Sequence, residues 1–147
     1  MPAVTRRLLL ESLSSLPLLS AALLAASQRA DAKQSATTVF ELRVYHAAPG
    51  KLGDLLARFR EHTTKLFEKH GMKNIAYWTP VDEPDRGNML VYILQHHSRE
   101  AATANWKSFQ DDPEWKRVKE ESEANGKLQE KIDSTYLALT DFSPQLQ

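Results

Sequence analysis

At 147 residues, with 41% hydrophobic and 26% charged side chains, the chain has the make-up of one ordinary globular domain, long enough to bury a core. Nineteen basic residues cancel nineteen acidic ones, and no lysine or arginine cluster marks the body of the chain, which argues against a nucleic-acid footprint. With no cysteine, disulfides, a thiolate nucleophile and a zinc knuckle are excluded, while an oxidising compartment is neither required nor ruled out.

The first 32 residues differ in kind from the rest. Arg6-Arg7 precede Leu8-Leu9-Leu10, a Leu/Ala/Ser run extends from Leu13 to Ala26, and Ala30-Asp31-Ala32 forms a small-x-small cleavage pattern. Thr5-Arg6-Arg7-Leu8-Leu9-Leu10 resembles the twin-arginine export signal, although Glu11 stands where that signal favours lysine. The resemblance implies a protein exported already folded, to the periplasm or beyond. A mitochondrial presequence is the alternative, weakened by Glu11 and Asp31. Ser14, Ser15, Pro17 and Ser20 interrupt the apolar run, so a permanent membrane span is not expected in the mature chain. The expected organisation is an export signal over 1–32, a linker over 33–37 and one domain over 38–147.

The domain opens with a strand from about Thr38 to His46. Phe40, Leu42 and Val44 alternate with Glu41, Arg43 and Tyr45, the mark of a strand whose two faces meet different surroundings. After the Pro49-Gly50 turn, Leu52, Leu55, Leu56, Phe59, Thr63, Leu66, Phe67 and His70 recur at spacings of three and four. They draw one stripe down a long helix that Gly71 ends. A second strand follows from Asn74 to Thr79, a loop from Pro80 to Asn88, and a third strand from Met89 to His96. Ser98 reads as the N-cap of a helix with Ala102, Trp106 and Phe109 on its apolar side. Asp112 caps another, with Pro113 at its first position and Trp115 and Val118 facing inward. The charged stretch from Lys119 to Lys127 reads as a solvated face ending at Gly126, and the last strand is expected from about Thr135 to Phe142.

A β-α-β-β-α-β order gives an α+β, ferredoxin-like fold: a four-stranded antiparallel sheet with helices on one face. The other face is then bare, and a homodimer that packs sheet on sheet is its natural cover, so a dimeric α/β barrel is expected. The row of Glu41, Arg43 and Tyr45 is assigned to that bare face. If Met89, Val91 and Ile93 face the helices, Tyr92 and His96 join the same polar side.

Two readings of Glu41 and Arg43 stand: an ion pair that fixes dimer register, or the polar end of a pocket in which Arg43 binds an anionic group and Glu41 accepts a proton or hydrogen bond. Among His46, His62, His70, His96 and His97 no metal-ligand spacing occurs, and His96 and His97, adjacent on a strand, point to opposite faces. His62 lies beside the helical stripe and would look into a sheet–helix cleft, or stay half-exposed and inert. His70 reads as a partner of its helix dipole. Tyr77, Trp78, Trp106 and Trp115 would line an aromatic cleft for a flat ligand, or simply fill the core. The absence of a Gly-rich phosphate loop and of a serine nucleophile elbow disfavours nucleotide chemistry and serine hydrolysis.

Three segments together resemble the NIPSNAP family, a branch of the dimeric α+β barrel superfamily. They are Phe40-Glu41-Leu42-Arg43-Val44-Tyr45 with Pro49-Gly50-Lys51-Leu52, Glu68-Lys69-His70-Gly71 leading to Ala76-Tyr77-Trp78-Thr79, and Asp112-Pro113-Glu114-Trp115. The resemblance implies the barrel but no settled activity. Animal members are associated with mitochondria and discussed in vesicle traffic and organelle turnover, and related barrels include cofactor-independent monooxygenases and haem-dependent peroxidases. The leading expectation is an exported homodimer that binds a small or lipophilic molecule or a protein partner, with no cofactor and no metal. The alternative is a cofactor-independent monooxygenase-like enzyme on an aromatic substrate, with Arg43, Tyr45, His62 and Trp78 around it; a haem-binding version stands third. The candidate pocket or dimer-core residues are Glu41, Arg43, Tyr45, His62, Trp78, Tyr92 and His96, with no catalytic residue assigned.

Overall fold

A computed structural model describes residues 38–144 and Leu146; the export segment and linker lie outside the described residues. Strand β1 (Val39–Ala47) leads into helix α1 (Leu52–Arg58), a π-helical turn (Phe59–Thr63) and helix α2 (Thr64–Lys69). Strands β2 (Lys73–Trp78) and β3 (Met89–His96) follow, then helices α3 (Arg99–Asp111) and α4 (Pro113–Ser122), and strand β4 (Gln129–Leu137). The sheet order is β2-β3-β1-β4 with every neighbouring pair antiparallel. This is the expected ferredoxin-like arrangement.

Local chemistry explains the boundaries. The Ser98 hydroxyl accepts from the Ala101 amide at 3.1 Å, and the Asp112 carboxylate accepts from the Glu114 amide at 2.8 Å with Pro113 opening α4. Gly71 closes α2 in the left-handed region at φ 76°. The π-helical turn inserts into the long stripe, where the Thr63 hydroxyl donates to the Arg58 carbonyl at 3.2 Å. His70 is more than a dipole partner: its ring bridges the Ser108 hydroxyl at 2.8 Å and the Asp112 carboxylate at 2.6 Å, tying the end of α2 to the α3–α4 junction.

The last strand is Gln129–Leu137, not 135–142, and α4 ends at Ser122 rather than near Gly126. As an edge strand that is largely exposed, β4 has little apolar alternation to betray it; the apolar residues Leu139 and Phe142 lie beyond it.

The face assigned to the Glu41 row is reversed as well. The core joins Tyr45, Leu90, Tyr92 and Leu94 of the sheet to Leu55, Phe59, Leu66, Phe67 and Phe109 of the helical layer. The Glu41, Arg43 and Tyr45 row therefore faces the helices, not the bare side. Most of that row and its β3 neighbours is apolar and packs, while the one carboxylate is surrounded by donors. The opposite face carries Leu42 and Val44 paired with Ile93 and Val91, together with Trp78 and Leu137. These residues take no part in the helix-facing core. Met89, Val91 and Ile93, half-buried, thus lie on that outer face, while Tyr92 and His96 do share a face with Glu41, as the alternation requires.

Candidate functional site

Register builds the site. Arg43 stands opposite Tyr92 on β3 and Ser134 on β4, and Glu41 opposite Leu94 and Tyr136. With side chains alternating along each strand, Glu41, Arg43, Tyr45, Tyr92, His96 and Ser134 project to one side.

Glu41, 1% exposed, is the hub. One carboxylate oxygen accepts from Arg43 Nη1 at 2.6 Å and Ser134 Oγ at 2.7 Å; the other accepts from Trp106 Nε1 at 2.6 Å and His96 Nε2 at 3.0 Å. Because a carboxylate only accepts, His96 carries its hydrogen on Nε2, and its buried Nδ1 has no partner. Burial by itself would raise the Glu41 carboxyl, but hydrogen bonds from His96, Ser134 and Trp106 and the charge of Arg43 outweigh it and hold the group at about 2. One carboxylate thereby ties β1, β3 and β4 to α3. It is a structural hub inside the chain, on the helix-facing side of the sheet.

Arg43 links this hub to open space. Its guanidinium lies 4.2 Å from the Trp106 ring centre, Nη2 donates to the Tyr45 hydroxyl at 3.4 Å, and Nε has no partner. Beyond it, between the helices and the β1–β4 half of the sheet, lies a cleft of about 470 Å³. Its aromatic wall is Tyr45, Phe59, Phe67, Trp106, Phe109 and Trp115. The rings contact one another edge-on or tilted, with centres 5.4 Å apart for Phe67–Trp106 and 4.5 Å for Phe109–Trp115. Arg58, 3% exposed, forms a second arginine–tryptophan pair, 5.2 Å from the Trp115 ring centre. It donates to Glu123 and Gln129, each at 3.0 Å, and its Nε is also unpartnered. Lys116, Lys119, Gln129 and Ile132 complete the mouth.

The sequence candidates divide accordingly. Arg43 and Tyr45 line the cleft, while Glu41, His96 and Tyr92 support it from behind. The Tyr92 hydroxyl is fully buried without a hydrogen-bond partner, and burial, then Tyr45, pushes it well above the usual phenol range. Trp78, half exposed, is on the opposite sheet face, and Tyr77 stacks in the core on Tyr92. His62 sits in the π-helical turn and lines a separate shallow groove with Glu61 and Glu121. The four residues of the oxygenase reading therefore do not converge. No histidine lines the cleft, so a haem there would find no imidazole ligand among the described residues. Also among the described residues, no His/Asp/Glu cluster suits a metal ion, and no helix is long and apolar enough to cross a membrane.

Of the cleft residues, Trp106 and Trp115 are legible in the sequence as aromatic-cleft candidates, whereas Arg58, Lys116 and Lys119 are not, and neither is Ser134 of the Glu41 hub. Arg58 sits beside Phe59 in the helical stripe, and that apolar neighbourhood is the one signal that flags it. Ser134 lies in the strand that polar composition conceals.

A NIPSNAP family model matches residues 40–144. An uncharacterized NIPSNAP-like domain protein from Burkholderia xenovorans is similar in structure with a TM-score of 0.64 and 18% identity, over 76% of this chain and 92% of that one. A nipsnap family protein with unknown function from Agrobacterium tumefaciens gives 0.64 and 18%, over 76% and 95%. A second NIPSNAP family protein from that organism gives 0.63 and 20%, over 73% and 97%. At such identities the likeness is one of fold. No curated protein matches the chain.

Proposed function

The chain belongs to the NIPSNAP family, and from that premise we propose that it is a binding protein whose sheet–helix cleft takes a small, flat, largely apolar molecule, in a homodimer joined through the bare sheet faces. The cleft carries this reading. A volume of about 470 Å³ walled by six aromatic rings with a few polar groups at its margin has the size and character of a small-molecule site. Binding is favoured over catalysis because no carboxylate or histidine lines the cleft to serve as general base. The fold supports many functions and supplies no reaction by itself. The apolar outer face, with Leu42, Val44, Val91 and Ile93 on its central strands, supports the dimer. The export signal read over residues 1–32 would deliver this domain to the periplasm or outside the cell.

The three tryptophans make the test direct, since Trp106 and Trp115 line the cleft and Trp78 lies on the other sheet face. In the Trp78→Phe variant, titration with the neutral fluorophore N-phenyl-1-naphthylamine should quench the remaining tryptophan emission and brighten the probe. Ile132→Trp, which fills the cleft mouth from an exposed edge strand, should abolish both signals. Quenching that follows Trp78 alone, or survives Ile132→Trp, contradicts the proposal.

A further inference from the structure

The charges around the cleft narrow its ligand further. Four cations line it, Arg43, Arg58, Lys116 and Lys119, and no carboxylate does. Two of the four are already neutralised: Arg43 by Glu41 at 2.6 Å and Arg58 by Glu123 at 3.0 Å. Lys116 and Lys119 are exposed on one side of α4, three residues apart and hence neighbours on the helix surface. Among the described residues neither forms a direct ion pair, although Lys116 acts on the Asp111 carboxylate at longer range. The net positive charge of the cleft therefore resides at its mouth, beside low-dielectric aromatic walls that strengthen a field.

Arg43 Nε and Arg58 Nε are both buried donors without a partner, on residues that line the cleft. Both lie beneath the cleft surface, so they are out of reach of a bound molecule and the charge a ligand meets is that of the exposed lysines. The adjoining groove shares Lys119 with the cleft and sets it, Lys127 and Lys131 beside Glu123 and Glu130. Within the cleft lining itself, positive charge stands without a carboxylate.

Resting on the reading of this cleft as a binding site, we propose that its ligand is an amphipathic anion: a flat aromatic or polycyclic acid whose body lies against Trp106 and Trp115 and whose acidic group meets Lys116 and Lys119. The aromatic wall selects for shape, and the two lysines select for charge.

Two probes with the same aromatic frame separate charge from shape: 1-anilinonaphthalene-8-sulfonate, an anion, and N-phenyl-1-naphthylamine, its neutral counterpart. Both are titrated by fluorescence against the Trp78→Phe protein and against the same protein carrying K116Q and K119Q, exposed substitutions that leave the core untouched. The sulfonate should bind about tenfold tighter at low salt, with the preference shrinking near 0.5 M salt and largely lost in the double variant. Neutral binding equal to or stronger than that of the anion overturns the anion proposal and leaves the cleft a binding site. A preference that persists unchanged in the double variant overturns the assignment to the lysines. If neither probe reports from the cleft tryptophans, both this inference and the reading beneath it fail.

Discussion

Glu41 keeps a full charge beneath the helices because four donors converge on it from three strands and a helix. Glu41→Gln would leave Arg43 buried and without its counter-ion, and should destabilise the fold by about 3–5 kcal/mol in urea unfolding at neutral pH. The pH dependence follows from the direction of the shift. The folded carboxyl is lowered from 4.5 to about 2, so as pH falls the unfolded state takes up the proton first. The stability contributed by Glu41 is present above the unfolded value and is lost between about pH 5 and pH 2. Urea series across that window should show a shallower loss in Glu41→Gln than in the unaltered chain; equal slopes would mean that Glu41 is not held low. Alternation alone groups Glu41, Arg43 and Tyr45, and with them Tyr92 and His96, because period 2 dictates which residues share a face. It does not say which face meets the helices, and charge is a poor guide because a carboxylate with enough donors is at home under a helical layer. His62 and Trp78 lie in other elements, where nothing local ties them to that row.

Elements are legible where backbone chemistry is explicit. Ser98, Asp112-Pro113 and Gly71 each mark a helix end by a side-chain acceptor, a missing amide hydrogen or a left-handed turn, and each does so in the structure. Two glycines give opposite predictions. Gly71 has φ 76°, and a Cβ there would stand 3.3 Å from the Asn105 side chain, so Gly71→Ala should cost about 1–2 kcal/mol. Gly53 lies within α1 with nothing within 4 Å of an added Cβ, and Gly53→Ala should gain about 0.5–1 kcal/mol. Thermal melts of the two variants would shift in opposite directions; a stabilising Gly71→Ala would contradict the turn. Strand β4 and the π-helical turn are not legible, for different reasons. An exposed edge strand needs no apolar row to hold its ladder, and a single wide turn is absorbed into spacings of three and four without breaking the stripe.

At the scale of the molecule, the two sheet faces differ in role. One covers the core and cleft with the helices, and the other presents Leu42, Val44, Val91, Ile93 and Trp78. A second copy covering that outer face predicts a dimer by light scattering, and Ile93→Glu at its centre should shift the chain toward monomer while preserving its helical circular dichroism. A stable monomer of the unaltered chain would contradict the barrel. The cleft lies on the opposite face, so the proposed ligand and the proposed dimer would use different surfaces, and a monomeric variant should still bind. The most direct measurement is a crystal structure of the protein grown with N-phenyl-1-naphthylamine. The account predicts density for the probe between Trp106 and Trp115, with Arg43 behind it and Ile132 at its edge. A cleft closed by its own side chains, or a probe bound only against Trp78 on the outer sheet face, would contradict it.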